Sequence, residues 1–510
     1  MSDRTSTQKY LGICLLVSVL VVLGTAAFNY KANRWGIYAE DYQTFFGRAR
    51  PNRLWLKTKY LAEEQPEIDC VLFGSSRVAA IDARKLDGEC FNFNHPGGLL
   101  KNHLESLEYL LRSGLKLKRV YVGLDDISYH WDPEENELHL QRRSLPRDVW
   151  EWLQSQVFYL LRPIDLKGLA AVFGNAVQIK QPYQITHPNQ DWERIRVESE
   201  IFLDQPELQD AVFRDLRGTI ELEQYRGAEA ARHLRKFVAL ARRNDIDVVV
   251  FFNPLHYKTY MARKYRRYLN FKARVAEFVD YYDFTGLNLY TSSNKYWKET
   301  SHYSSIVGDS IARRLIDSSE HSNGFGRLVA ADSLDELERT QIKYDMNWLP
   351  QIIETEGLMH IPARFVAKWR RYGQLLPSPI KSPPGEQNGF LIEGGQFTAE
   401  RHDPDSKYRP GVWTHLNKDE HFIIQYELTS ADSGRLLFKI RQDDNAYGLD
   451  WISYLVKIRA GENRGYLAGF ATRDNPPLRI QYDRRALRHM WEGLGIYRVK
   501  LQNKAERSDR

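Results

Sequence analysis

The chain has 510 residues, more than one hydrophobic core usually supports, so two or more domains are expected. Apolar residues make up 43% and charged residues 27%, which excludes a mostly disordered chain. The net charge of +6 is diluted over that length and comes with no long Lys/Arg run, so no nucleic-acid partner is expected.

In chain order, residues 10–28 come first: uncharged, rich in Leu, Val and Ile, and as a helix nearly long enough to cross a bilayer. They predict a retained single membrane anchor within an N-terminal segment 1–34. Thr25-Ala26-Ala27 is a mediocre cleavage site, and Leu11-Gly12-Ile13-Cys14 is a poor lipidation box. Arg4 and Lys9 before the apolar run and Lys31 and Arg34 after it barely decide orientation.

From Asp69 onward, short apolar runs alternate with helical periodicity, which predicts an α/β domain over 35–350 with a parallel sheet between two layers of helices. Strands are expected at 70–74, 90–93, 118–123, 245–252 and 281–284. The unbroken apolar run from Val248 suits a strand buried on both faces. Helices are expected at 79–86, 102–113, 228–243 and 305–315. Cys70 and Cys90 fall on neighbouring strands, where either a disulfide or two buried free thiols fit, and free thiols are the blander expectation. A long insertion, 130–227, with helical character over 149–173, follows the third strand and suits a lid or substrate platform. Residues 258–274 interleave basic and aromatic side chains, as a solvated helix face does, or a surface for anionic glycan or lipid headgroups.

Beyond a helical stretch at 334–369, the segment 351–388 ends in a Pro-rich linker over 373–388. Residues 389–510 read as short β-segments separated by turns, a small antiparallel β-sandwich. Its Trp413, Tyr426, Tyr447 and Trp451 either fill the core or stack on sugar rings.

Two motifs carry chemistry. The first strand runs into Gly74-Ser75-Ser76-Arg77, placing a serine at a strand-to-helix turn, where amides converge on a developing oxyanion. Glu299-Thr300-Ser301-His302 precedes the last helix of the same domain, and an acid three residues before a histidine can hold one imidazole nitrogen while the other faces a serine. No metal-ligand spacing, phosphate loop or dinucleotide fingerprint is present, so no cofactor is implied.

On these two motifs the stretch 66–318 resembles the SGNH, or GDSL-type, hydrolase superfamily. The resemblance implies Ser76 as nucleophile, His302 as base and Glu299 as orienter in place of the usual aspartate. It implies oxyanion donors at Gly97 or Gly98 after the second strand and at position 125 after the third. That position holds Asp125 rather than asparagine, and an ionised carboxylate cannot donate. Asp125 is therefore protonated, or structural, or the hole is completed elsewhere, with Arg77 one source. Asn253 follows the fourth strand at the same edge, as a lining residue or a loop cap. The layout of one anchor followed by a Gly-x-Ser turn is similar to envelope O-acyltransferase-like members, including the alginate acetyltransferases and the D-alanyl-transfer proteins of teichoic acid synthesis. The resemblance implies an O-acyltransferase or esterase acting on an envelope or exported polysaccharide. It implies a single-pass protein of the bacterial plasma membrane with its main domains outside, and a membrane-bound O-acyltransferase as partner. A non-catalytic glycan-binding component of polysaccharide assembly is the alternative.

Overall fold

The computed structural model describes residues 2–33, 35–38, 51–132, 143–164, 185–205, 213, 225–262, 265–317, 325–330 and 333–371. In the C-terminal region it describes 385–387, 390–393, 396–399, 411–413, 418–430, 433–441, 451–472, 477–482 and 489–499. The chain forms two compact units, 1–339 and 340–510, whose boundary falls inside a helix.

The first unit opens with α1 (Ser2–Ala32), followed by α2 (Arg53–Glu64), β1 (Cys70–Gly74), β2 (Cys90–Asn94), α3 (Leu100–Arg112) and β3 (Arg119–Leu124). The segment after β3 contributes α4 (Val149–Leu160) and α5 (Gln190–Asp204). There follow α6 (Gly227–Arg243), β4 (Asp247–Phe252), α7 (Tyr257–Ala262), α8 (Tyr265–Ala276), β5 (Tyr281–Asp283), α9 (Ser305–Ile316) and β6 (Arg327–Val329). The sheet runs β2-β1-β3-β4-β5-β6, parallel except for β6, which pairs antiparallel with β5. The expected α/β class is what the chain adopts. The sheet's sixth strand was not foreseen, because the three residues of Arg327-Leu328-Val329 are too few to show periodicity.

Side chains of β1 alternate between two cores. Phe73 packs on Phe93, His103 and Phe237 on the α3–α6 side, whereas Cys70 and Leu72 join Val78, Val307 and Ile311 on the α9 side. Where a helix was expected at 79–86, the chain makes two 3₁₀ turns, Val78–Ala80 and Ala83–Lys85. They let α9 approach closely: a Cβ on Gly308 would lie 1.8 Å from the Ala80 carbonyl oxygen. Gly74 is required in the same way, since its Cβ would meet Val78 at 2.5 Å.

Cys70 and Cys90 are register partners at the starts of β1 and β2 and form a disulfide, correcting the expectation of free thiols. A strand pair in this register brings the two Cα atoms to 4.2 Å, which spacing along the sequence does not reveal. Residues 258–274 also differ from a purely solvated face: Tyr260, Tyr268 and Phe271 are buried, and buried Lys272 pairs with Asp283 at 2.6 Å.

The histidines sealed into this unit include His103 on α3 and His256 before α7. Burial draws both imidazoles from 6.5 down to about 3, opposed at His256 by its bond to Asn294 and assisted by the charge of Lys258. His256 Nδ1 accepts from the Lys258 amide at 3.3 Å, while its Nε2 lies 3.0 Å from Asn294 Oδ1, an arrangement that suits only the neutral ring. The unfolded chain takes up protons first, so stability is complete above about pH 6.5 and is lost as pH falls from there toward 3. The loss approaches about 1.4 kcal/mol per pH unit per histidine. Urea midpoints measured between neutral pH and about pH 5 should fall accordingly, and His103→Leu should flatten the profile.

The second unit contains the rest of α10 (Leu334–Glu356), β7 (Leu358–His360), α11 (Ala363–Arg371), and ten strands. The stretch expected to be helical over 334–369 is broken at Gly357, which takes φ 69° and turns the chain into β7. The strands are β8 (Gly385–Gln387), β9 (Phe390–Glu393), β10 (Gln396–Ala399), β11 (Gly411–Trp413), β12 (His421–Ser430), β13 (Gly434–Arg441), β14 (Trp451–Ile458), β15 (Gly461–Phe470), β16 (Pro477–Tyr482) and β17 (His489–Val499). They form antiparallel sheets ordered β7-β15-β12-β17-β10-β9-β8 and β11-β16-β13-β14. Tyr426 of the first packs on Phe438 of the second, ring centroids 5.6 Å apart, and is 4% exposed, so it fills the core rather than offering a face to a sugar. Tyr447 lies outside the described residues, as does linker segment 372–384. Trp413 and Trp451 sit on β11 and β14.

Candidate active site

In a parallel sheet ordered β2-β1-β3, the strand order reverses between β1 and β3, so the connections from these two neighbours leave on opposite sides and open a crevice at their carboxyl ends. Ser76 occupies the turn after β1, and its amide makes no hydrogen bond within the described residues. Across the crevice, residues 297–303 form a loop closed by a bridge between Trp297 and Tyr303 and by Lys298 N–H donating to the His302 carbonyl at 2.9 Å. The loop delivers His302 Nε2 to 2.8 Å from Ser76 Oγ. His302 Nδ1 meets Glu299 Oε1, while Glu299 Oε2 accepts from the Ser301 amide at 2.7 Å. Burial pushes the Glu299 carboxyl up. The hydrogen bond and charge of His302, the Ser301 amide and the charge of Arg77 outweigh it and hold the group below the usual range. Ser76, His302 and Glu299, singled out from distant parts of the sequence, are thus brought into one relay.

The other sequence-derived residues lie beneath or beside this relay. Asp125 is 2% exposed and acts as an acceptor: Ser75 Oγ donates to its Oδ2, Asn253 Nδ2 donates to its Oδ1 at 2.9 Å, and Arg77 Nη1 lies 3.3 Å from Oδ1. Tyr303 Oη donates to Asn253 Oδ1 at 2.8 Å, so the ends of β1, β3 and β4 and the histidine loop share one buried network. Burial raises the Asp125 carboxyl and the charge of Asp126 adds to the rise, against the pull of Arg77 and Ser75. Neither Asp125 nor Asn253 lines the pocket.

Arg77 does line it, but its donors are already engaged. Nη1 reaches Asp126 at 2.5 Å, Nε reaches the Ser301 carbonyl at 2.8 Å, and Nη2 reaches Ser301 Oγ at 3.1 Å. Arg77 therefore braces the histidine loop. Gly98 stands outside the pocket lining; its amide donates to the His95 carbonyl at 3.2 Å, and a Cβ there would lie 2.7 Å from the Gly74 carbonyl oxygen. Close packing, rather than a free amide, accounts for this glycine.

Sequence reading missed two features. Asn94, the last residue of β2, lines the pocket; its Nδ2 donates to Asn92 Oδ1 at 3.0 Å and its buried Oδ1 has no partner among the described residues. Beneath it, buried Lys57 donates to the Asn92 and Asn94 carbonyls at 2.8 and 3.0 Å. Burial draws this ammonium down to about 7, against the charge of Asp191 and with that of Arg53. The second is the wall formed by α5, where Asp191, Arg194, Ile195, Glu198, Ser199 and Phe202 recur at helical spacing along the pocket. That i, i+3, i+4 recurrence was the available signal. Arg53 and Arg194 pair with Asp191 and Lys298 with Glu198, which leaves Lys295 as a lining cation with no carboxylate partner among the described residues.

The pocket holds about 240 Å³, below the roughly 300 Å³ at which pockets for drug-sized ligands begin. Among the described residues no cluster of metal-ligating side chains occurs.

No family model matches the chain, and no curated protein matches it. Solved structures that align with it include a capsular polysaccharide assembling protein, CapF, from Staphylococcus aureus, at 10% identity over 86% of this chain and 98% of that one, TM-score 0.16. A two-domain esterase active on acetylated mannans aligns at 9% identity over 85% of this chain and 91% of that one, TM-score 0.17. A carbohydrate-binding module of a Cellvibrio mixtus lichenase aligns at 12% identity over 25% of this chain and 99% of that one, TM-score 0.16. Such TM-scores are too low to carry a conclusion about fold or chemistry.

Proposed function

We propose that the chain is a serine-dependent acyl-transfer enzyme, an O-acyltransferase or esterase of the SGNH type acting on a cell-envelope or exported polysaccharide. The observation that carries the reading is the Ser76–His302–Glu299 relay at the carboxyl edge of the sheet. Ser76 Oγ attacks the acyl carbon as His302 Nε2 takes its proton, and Glu299 stabilises the resulting imidazolium. The imidazolium then protonates the departing oxygen, leaving the acyl group on Ser76. A sugar hydroxyl or water gives its proton back to His302, attacks the acyl-enzyme and restores the Ser76 hydroxyl. The Ser76 amide and the Asn94 carboxamide, rather than Gly98 and position 125, are the donors at the pocket for the oxyanion. Transfer rather than hydrolysis requires the acceptor to displace water from a site whose His302 side chain is 41% exposed.

In this reading α1 is a retained anchor: Gln8–Lys31 is 24 residues, long and apolar enough to cross a membrane, with none of its most apolar stretch buried. The folded units lie outside the bacterial plasma membrane, a location that suits the Cys70–Cys90 bond. A membrane-bound O-acyltransferase is the acyl supplier that the resemblance implies. Incubating the full chain with a fluorophosphonate should leave one adduct on the peptide containing Ser76 and none in Ser76→Ala. An unlabelled wild-type chain, or label that persists in Ser76→Ala, overturns the reading. With labelling established, an acetylated oligosaccharide donor and an unmodified acceptor separate transfer from hydrolysis by the mass of the product.

A further inference from the structure

Helix α4 is apolar on the side it shows to solvent. Ser155 and Tyr159 face inward, the latter receiving a bond from Asn52 Nδ2 at 3.0 Å and packing with Trp35 and Trp55. The opposite arc presents Val149, Leu153, Val157 and Leu161, an unbroken i, i+4 row, with Trp150 at 67% exposure on the same side. A helix in water normally turns charged residues to that side. A contiguous arc of this kind marks a contact surface.

Its place in the fold identifies what covers it. Asn29, near the end of α1, is 3% exposed, and its Nδ2 donates to the carbonyls of Leu160 at 2.8 Å and Arg162 at 2.9 Å. These are carbonyls that the end of a helix leaves without intrahelical partners. The C-terminal end of α4 is therefore fixed at the level where the apolar stretch of α1 finishes. With 1.5 Å per residue, about 20 residues of α1 fill the hydrocarbon core, which sets Asn29 at its outer boundary. The outer surface of α1 is itself exposed and apolar, Leu20 at 59% and Leu23 at 60%, and α1 and α4 are neighbours in the fold. The guanidinium groups of Arg143 and Arg162 lie over the Phe158 ring at 4.5 and 4.1 Å, at the depth of lipid headgroups. Tryptophan is enriched at that depth.

We infer that α4 is a second membrane contact, an interfacial helix whose Trp150–Leu161 arc rests in the headgroup boundary of the bilayer that α1 spans. The inference depends on the reading of α1 as a retained anchor. A spanning helix with a flexible tether would let the catalytic unit tumble; α1 and α4 together would hold its pocket at one height and tilt above the lipid.

The test uses the full chain in vesicles of phosphatidylethanolamine and phosphatidylglycerol, with an environment-sensitive fluorophore at one cysteine. One preparation carries it at native Cys14, and another at Trp150→Cys in a Cys14→Ser background; Cys70 and Cys90 are bonded and do not react. The label at 150 should be quenched severalfold more by a lipid with its nitroxide near the headgroup than by aqueous iodide. If the label at 14 is quenched from within the bilayer while that at 150 is quenched by iodide, the inference falls and the anchor stands. If both are quenched by iodide alone, the anchor reading itself fails. A label at 150 shielded from both quenchers reports a protein partner, such as a second copy, and also overturns the lipid assignment.

Discussion

Alanine in place of His302 is expected to lower ester turnover at least about a thousandfold, with Ser76→Ala falling as far. The two losses should not add, because Ser76 Oγ and His302 Nε2, 2.8 Å apart, act as one unit. Glu299→Gln makes the sharper test. An amide cannot stabilise the imidazolium, and it can donate to Nδ1, turning the imidazole to the tautomer that carries its proton toward Ser76. Where the carboxylate of a serine triad becomes an amide, turnover drops roughly 10⁴-fold with geometry kept. Glu299→Asp shortens the arm that also accepts from the Ser301 amide at 2.7 Å, and should cost less than Glu299→Gln. Initial rates on an acetyl-ester reporter, with labelling by fluorophosphonate read alongside, check the series. A Glu299→Gln enzyme as fast as wild type would remove glutamate from the relay.

Arg77→Ala should be the most destabilising single change in the unit. Arg77 is 4% exposed, and it is the cation shared by Asp125 and Asp126, themselves 2% and 1% exposed. Burial works against its charge, and the two carboxylates more than offset this and hold the guanidinium fully protonated. Removing one member of such a group leaves uncompensated charge in the interior and costs about 3–5 kcal/mol. The urea midpoint should fall correspondingly. Arg77→Lys keeps a charge but cannot reach Asp126 and both acceptors on Ser301 together, so it should recover part of the stability and little of the turnover. A turnover deficit confined to kcat would follow from a histidine loop that has lost its brace.

Much of this was readable because it depends on patterns local to the chain. The run Val248-Val249-Val250-Phe251-Phe252 has the composition of a strand buried on both faces, and β4 lies there. The serine turn and the Glu-x-x-His spacing each show within four residues. What stayed hidden depends on which strands become neighbours. Asp125 could be seen as unable to donate, but its donors, Ser75 and Asn253, come from strands on either side of β3 in the sheet. Arg77 stands beside the serine in sequence and looked like an oxyanion donor until Asp126 and Ser301 were found to occupy it. Asn94 had no motif of its own, being the second of two asparagines that alternate with phenylalanine, and only its place in the pocket beside Ser76 gives it a role.

The bond between Cys70 and Cys90 has a consequence beyond the strands it joins. It closes a ring across a sequence separation of 20, and Ser76, Arg77 and both 3₁₀ turns lie within that ring. Closing a loop of this size removes enough freedom from the unfolded chain to favour the folded one by about 3 kcal/mol. Ser76 is therefore carried on a covalent macrocycle, complete only after two electrons have been withdrawn from the thiol pair. Maturation of the site thus becomes an oxidation as well as a folding event, and copies held where thiols stay reduced carry the same relay on an open, less stable loop.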